Sequence, residues 1–314
     1  MTFCDPGKIL MEFFDLQVNG YAGVDFNSDG LSGAAVEGVC SRLESQGVDG
    51  ILATVISDSL AVMEQRLRRL AGLLGERPEM RRMIRGIHVE GPFISPVDGY
   101  RGAHPADAIV PADWDAMQRL LEAGDGWVKL VTLAPEHDAR AKVTRALAKR
   151  GIVVAAGHTD ASLDQLQGAI DAGLTMFTHL GNGCPAVMAR HDNIVQRALS
   201  LRKQLWLCFI VDGAHIPFFA LKNYLELAGL EKAVVVTDAI VAADLGPGRY
   251  RFGRWDLEIG DDLVARSPDG SHLVGSTVTM TKSFENLTQR LGFSAADARL
   301  MTDANPRKAM GERA

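Results

Sequence analysis

The stretch "AVVVTD" (233–238) decides the reading of the fold. Four apolar residues in a row, with no polar alternation, describe a strand buried on both faces, as in parallel sheets covered by helices. The run ends on an acid. A carboxylate there is costly to desolvate unless it is paired or put to work.

Seven other runs share this character. "FFDLQV" (13–18), "GILATV" (50–55), "IRGIHVE" (84–90) and "WVKLVTLA" (127–134) come first. "GIVVAAG" (151–157), "TMFTHL" (175–180) and "LWLCFIV" (205–211) follow. Helix-like amphipathic stretches lie between them, for example 33–47, 57–75, 138–149 and 161–172. Eight strand–helix repeats in 314 residues predict a (β/α)8 TIM-type barrel. A doubly wound open sheet is the runner-up, but no G-x-G-x-x-G follows a strand. The chain, 1–314, reads as one barrel domain. Residues 247–275, rich in Gly and Asp with a D-G turn signal at Asp269–Gly270, read as a β-hairpin-like insertion. Helical segments near 277–290 and 294–303 follow it.

The composition, 47% hydrophobic and 23% charged, is that of a globular protein with a large core. A formal net charge of −6 argues against nucleic acid or an anionic membrane as partner. No apolar run reaches the 18 residues of a membrane span. The start "MTFCDPGKILMEFFD" lacks the charged and small-residue flanks of a signal peptide. Cys4, Cys40, Cys184 and Cys208 are widely spaced, so free thiols in a cytoplasmic protein are expected.

Catalytic groups of such barrels gather at the C-terminal strand ends. Here those ends carry Gln17 and Asn19, His88 and Glu90, His158, His179, His215 and Asp238. A lone histidine is more often a packed core residue than a ligand, but several on one barrel face point to a metal. Glu90, His158 and His179 form the sharpest set. One carboxylate and two imidazoles suit Zn²⁺ or another borderline divalent ion, with a position left for water. His88 shares the face of Glu90 and is either a rival ligand or a group supporting the ligands. Asp238 is placed to act as general base and then general acid, the alternative being a helix N-cap.

In order along the chain, "DLQVNG", "HVEGPF", "RGAHP", "VTLAPE", "AGHTDAS", "THLGN", "VDGAHI", "VTDA" and "GSTVTM" resemble the N-acetylglucosamine-6-phosphate deacetylases of the amidohydrolase superfamily. The resemblance runs from about residue 13 to about 310. It implies hydrolysis of the acetamide of N-acetylglucosamine 6-phosphate to glucosamine 6-phosphate and acetate, on a (β/α)8 barrel that is usually a homodimer. It implies Glu90, His158 and His179 as metal ligands and Asp238 as the catalytic acid–base. His104 would polarise the amide carbonyl. Ala103, Asn182, Gly183, Arg190, His215 and the segment Leu273, Val274 and Gly275 would contact the substrate, with Arg190 at the spacing of a phosphate-binding arginine.

Many amidohydrolases end strand 1 on H-x-H, which binds one metal of a pair. The amides of Gln17 and Asn19 are poor ligands for such ions, and the family shows the same Q-x-N. One divalent ion per chain is therefore expected, Zn²⁺ first, with Fe²⁺, Mn²⁺ and Co²⁺ open. Gln17 and Asn19 then position water or ligands.

Three departures from the family pattern stand out. The length leaves no room for the family's usual small β-sandwich, so a bare barrel is expected. "HLGNGCP" replaces a bulkier loop, and "HDN" follows Arg190. They leave two alternatives: a related hydrolase of another N-acyl amino sugar or N-acyl amine, and a non-catalytic binding barrel.

Overall fold

The computed structural model describes residues 12–312. Its main sheet has eight parallel strands hydrogen-bonded in chain order. They are β1 (Phe13–Val18), β2 (Val48–Ile56), β3 (Ile84–Glu90), β4 (Val128–Leu133), β5 (Val153–Ala156), β6 (Met176–Phe177), β7 (Trp206–Ile210) and β8 (Ala233–Val236). A parallel bridge between Val18 and Ala239 brings the two ends of the sheet together into a barrel.

The unalternating runs follow from burial on both faces. Leu52 packs with Phe14, Leu16, Leu130, Met176, Ile210 and Val236 in one cluster. Its neighbours Ile51 and Ala53 pack with the helices in a second cluster. Each such aliphatic side chain contributes about 1.5–3 kcal/mol when withdrawn from water. The helix Leu60–Glu76 supplies one covering stripe, burying Met63, Leu67, Leu70 and Leu74 at helical spacing. Local signals set the helix starts. Ser162 and Gln165, for example, form a reciprocal capping box at Leu163–Asp171.

One element departs from its sequence reading. The run 175–180 yields only two strand residues. The backbone turns into the left-handed region at His179 (φ 26°) and leaves the sheet. Thr178 and Leu180 still hydrogen-bond to Ala156 and Cys208 of the flanking strands, each at 2.8 Å.

After β8 the chain forms an antiparallel sheet of β9 (Gly248–Phe252), β10 (Trp255–Ile259) and β11 (Ala265–Arg266). The β9–β10 turn is anchored to the barrel mouth. Arg254 pairs with Asp58 and Asp107, the Gly253 amide donates to Asp25 at 2.8 Å, and Trp255 Nε1 donates to the Ala103 carbonyl at 3.0 Å. Asp269–Gly270 makes a second tight turn.

Among the described residues there is no β-sandwich and no helix long and apolar enough to cross a membrane. Cys40, Cys184 and Cys208 are free thiols. Cys4 and most of the N-terminal stretch read above lie outside the described residues.

Candidate active site

A cavity of about 860 Å³ opens at the C-terminal ends of the strands. Asn19, Glu90, His104, His158, His179 and Asp238 all border it. Three of these carry a backbone conformation that side chains disfavour: φ is 51° at His158, 26° at His179 and 52° at Asp238. Such strain persists only where surrounding structure enforces it, and it concentrates at functional sites. Each of these residues follows the end of an apolar strand, so the turn out of the sheet aims the side chain across the barrel mouth.

The charged groups converge closely. His179 Nε2 lies 2.9 Å and His158 Nε2 3.4 Å from the same oxygen of Glu90, Oε1. Gln17 Nε2 donates to that oxygen at 3.0 Å and to Asp238 Oδ1 at 3.1 Å. Asn19 Nδ2 donates to Asp238 Oδ1 at 2.7 Å. Burial, then the nearby Glu90 carboxylate, raises the Asp238 carboxyl to about 6. Glu90 is held well below the usual carboxylate range, because hydrogen bonds from His158 and His179 outweigh its burial. Burial pushes His104 down to about 3 and His88 down to about 4, which keeps both imidazoles neutral.

The donor set fits a divalent cation. Nδ1 of His158 lies 2.9 Å from the Tyr100 carbonyl, which can only accept. That nitrogen therefore carries a proton, and Nε2, which faces Glu90 Oε1, is the nitrogen that a neutral ring would offer to a cation. Glu90, His104 and His158 offer ligand atoms that all lie within 4.8 Å of one another, and His179 reaches the same Glu90 oxygen.

The cavity wall also includes Ala103, Asn182, Gly183, His215, Leu273, Val274 and Gly275. Three residues singled out in the sequence are not part of it, and Gln17 is one, buried behind the wall on Glu90 and Asp238. His88 is fully buried with Nε2 2.8 Å from Thr132 Oγ1. Arg190 is exposed.

Several contributors carry no sequence signal. Ser57 Oγ lies 2.8 Å from His104 Nδ1, and Thr178 donates to Gln17. Asp212 Oδ2 lies 2.7 Å from His215 Nδ1. Trp255 and Phe252 of the added sheet complete the wall. "VDGAHI" held a carboxylate three residues from a histidine, and that spacing was the one available hint.

No family model matches the chain. Among curated proteins it is 34% identical over 315 residues to the human N-acetylglucosamine-6-phosphate deacetylase, covering 97% of this chain and 75% of the human one. The chain belongs to the N-acetylglucosamine-6-phosphate deacetylase family. A second relative is the N-acetylgalactosamine-6-phosphate deacetylase of Escherichia coli O157:H7, 27% identical, with 99% and 80% of the two chains covered. A solved N-acetyl-D-glucosamine-6-phosphate deacetylase from Mycobacterium smegmatis, a mutant in complex with N-acetyl-D-glucosamine-6-phosphate, superposes with a TM-score of 0.87. It is 29% identical, covering 97% of this chain and 78% of that one.

In this member of the deacetylase family, the "HLGNGCP" loop has a definite packing role. Gly183 and Gly102 lie against the imidazole of His158, where a Cβ would stand 2.7 and 3.0 Å from ring atoms. Gly99 makes the same kind of close approach to Pro185. Glycines therefore let two loops close over the His158 imidazole.

Proposed function

We propose that the chain hydrolyses the acetamide of N-acetylglucosamine 6-phosphate, releasing acetate and glucosamine 6-phosphate. The observation that carries this reading is a buried Asp238 carboxylate, raised to about 6, beside Glu90, His158 and His179 in a chain of this family. A bound divalent ion, Zn²⁺ in our reading, would be held by Glu90, His158 and His179. It would supply Lewis acidity to the water and the acyl oxygen.

The chain's own residues do the rest. Asn19 and Gln17 hold Asp238 with one oxygen engaged and the other free to take a proton from the attacking water. The water oxygen bonds to the carbonyl carbon. His104, anchored through Nδ1 by Ser57, polarises the carbonyl oxygen and stabilises the charge that develops there. Asp238 then returns its proton to the departing nitrogen as the C–N bond breaks. Asn182, Gly183, His215 and Leu273–Gly275 orient the sugar. The β9–β11 sheet covers the cavity within a single catalytic unit. A cytoplasmic homodimer is the expected form, and sedimentation checks the dimer.

A second reading, the same hydrolysis on another N-acyl amino sugar or N-acyl amine, draws support from Arg190 standing exposed outside the cavity wall. One experiment separates the readings: metal analysis together with acetate release from phosphorylated and unphosphorylated N-acetyl sugars of both gluco and galacto configuration. Turnover confined to the gluco phosphate supports the first reading. Equal turnover without phosphate supports the second. A metal-free protein insensitive to chelators would leave a non-catalytic barrel.

A further inference from the structure

Beneath the metal-site carboxylate lies a polar layer made by threonines from alternate strands. Thr132 lies two residues beyond Leu130 and Thr178 two beyond Met176, residues that pack together in one cluster. Period-2 alternation therefore turns both threonines to the same face as those residues. Barrel interiors are built from such layers, each contributed by every second strand. Here the layer under the site is hydroxylic, and each threonine holds a polar group of another strand. Thr132 Oγ1 meets His88 Nε2 at 2.8 Å. Thr178 Oγ1 donates to Gln17 Oε1 at 2.8 Å.

The second contact has the larger consequence. Gln17 lies between two carboxylates, with its NH₂ group shared by Glu90 and Asp238 at 3.0 and 3.1 Å. Carboxylates accept only, so the amide must present nitrogen to them. A flipped amide would set its oxygen against both acids. The two acids thus set which way the amide faces, and the Thr178 hydroxyl is the donor that satisfies its oxygen and holds the group in place. The threonine is itself fixed. A Cβ on Gly157 would stand 2.3 Å from the Thr178 methyl, so that methyl lies over the glycine backbone next to His158. Thr178 is 2% exposed and Gln17 1%, so water does not replace the bond.

We infer that Thr178 is a positioning residue: by locking the Gln17 amide, it ties the Glu90 carboxylate to Asp238. Its effect on turnover rests on the hydrolytic reading above, but its effect on metal retention does not.

A double-mutant cycle in the full chain tests this. Thr178→Val keeps the shape and the methyl and removes the hydroxyl. Thr178→Ser keeps the hydroxyl, and Thr178→Ala is a second hydroxyl-free variant should the valine fold poorly. Each is made alone and with Gln17→Leu. Zn²⁺ affinity is read by chelator competition, and kcat and KM on N-acetylglucosamine 6-phosphate. Thr178→Val and Thr178→Ala are expected to lose about 10–100-fold in Zn²⁺ affinity or kcat, with KM unchanged and Thr178→Ser near wild type. In the Gln17→Leu background, removing the hydroxyl is expected to cost nothing further. Wild-type behaviour of Thr178→Val and Thr178→Ala in both readouts overturns the inference. So do losses that multiply in the double variant, which would mean that Thr178 acts independently of Gln17. If the wild-type protein releases no acetate, the hydrolytic reading fails, and the affinity cycle still decides the role of Thr178.

Discussion

A Cβ placed on Gly183 would stand 2.7 Å from Nδ1 of His158, the nitrogen that donates to the Tyr100 carbonyl. Gly183 also holds φ at 59°, where an L side chain costs about 1–2 kcal/mol. Gly183→Ala is therefore expected to swing the imidazole off its carbonyl anchor. Metal affinity should fall at least about tenfold, within the range of lost supporting contacts. Gly181→Ala is the control. It shares a positive φ of 92°, but its Cβ would meet Ile216 Cδ1 at 2.8 Å rather than the His158 ring. It should lower the melting temperature and leave chelator competition unchanged. Equal metal affinities in the two variants would remove the special role of the Gly183 approach.

If Asp238 is the base proposed above, it sets the pH response. A base works only when deprotonated, and its carboxyl stands near 6 rather than 3.8. Below the pKa of this carboxyl, which a bound divalent ion beside it would draw lower than about 6, kcat should drop about tenfold per pH unit, while above it the acid limb is flat. Asp238→Asn should lose about 10²–10⁴ in kcat and retain its metal. The sign for stability is opposite to that of a salt-bridged acid. Between about pH 4 and 6 the folded chain binds more protons at this position than the unfolded chain, so stability falls as pH rises through that window. In the metal-free protein, Asp238→Asn should thus melt higher than wild type at pH 8 and no higher at pH 3.5. A kcat profile level from pH 7 down to 4 would contradict the assignment of Asp238 as base.

His215 borders the cavity, and Asp212 governs which way it presents itself. One Asp212 oxygen lies 2.7 Å from His215 Nδ1, and the other accepts the backbone amides of Ala214 and His215, each at 2.9 Å. The carboxylate keeps the proton on Nδ1 and leaves Nε2 for the cavity. Asp212→Ala should raise KM about tenfold and change kcat less than about threefold, as expected where a group binds ground state and transition state alike. Steady-state kinetics separate the outcomes. A kcat loss at constant KM would move His215 from sugar binding to chemistry.

How much of this was legible in the sequence depended on the kind of signal. Strands buried on both faces write themselves as apolar runs, so "FFDLQV" and "IRGIHVE" match Phe13–Val18 and Ile84–Glu90 residue for residue. Strand-end polar groups were also visible, because Glu90, His158, His179 and Asp238 interrupt or terminate apolar stretches. The short β6 was not, since nothing in "TMFTHL" announces a left-handed turn at His179. Ser57, Thr178 and the Tyr100 carbonyl were silent for another reason. A hydroxyl or a main-chain oxygen becomes a partner only through three-dimensional proximity, 161 residues apart in the case of Thr178 and Gln17. The cover formed by Phe252 and Trp255 was likewise hidden, although Leu273 beside them had been singled out. A β-rich segment reads the same whether it lies over a cavity or points away from it.

Arg190 tests the identity of the substrate. The other guanidiniums of this region are committed: Arg101 to Asp98 and the His104 carbonyl, and Arg197 to Asp160 and Asp192. Among the described residues Arg190 has no ion pair, and it lies two residues beyond Met188, which lines the cavity. An exposed arginine outside the cavity wall would serve the sugar 6-phosphate only if that group projects out of the cavity. One charge-assisted contact of this kind is worth about 1.5–3 kcal/mol, or roughly 10–100-fold in binding. Arg190→Ala should therefore raise KM for the phosphorylated N-acetyl sugar by about that factor. KM for the unphosphorylated sugar and kcat for both should stay unchanged. Because the arginine is exposed, the discrimination should also weaken as salt is raised from 0.05 to about 0.5 M. If the substitution weakens both substrates equally, Arg190 does not read the phosphate, and the N-acyl amine reading gains the ground that the phosphate reading loses.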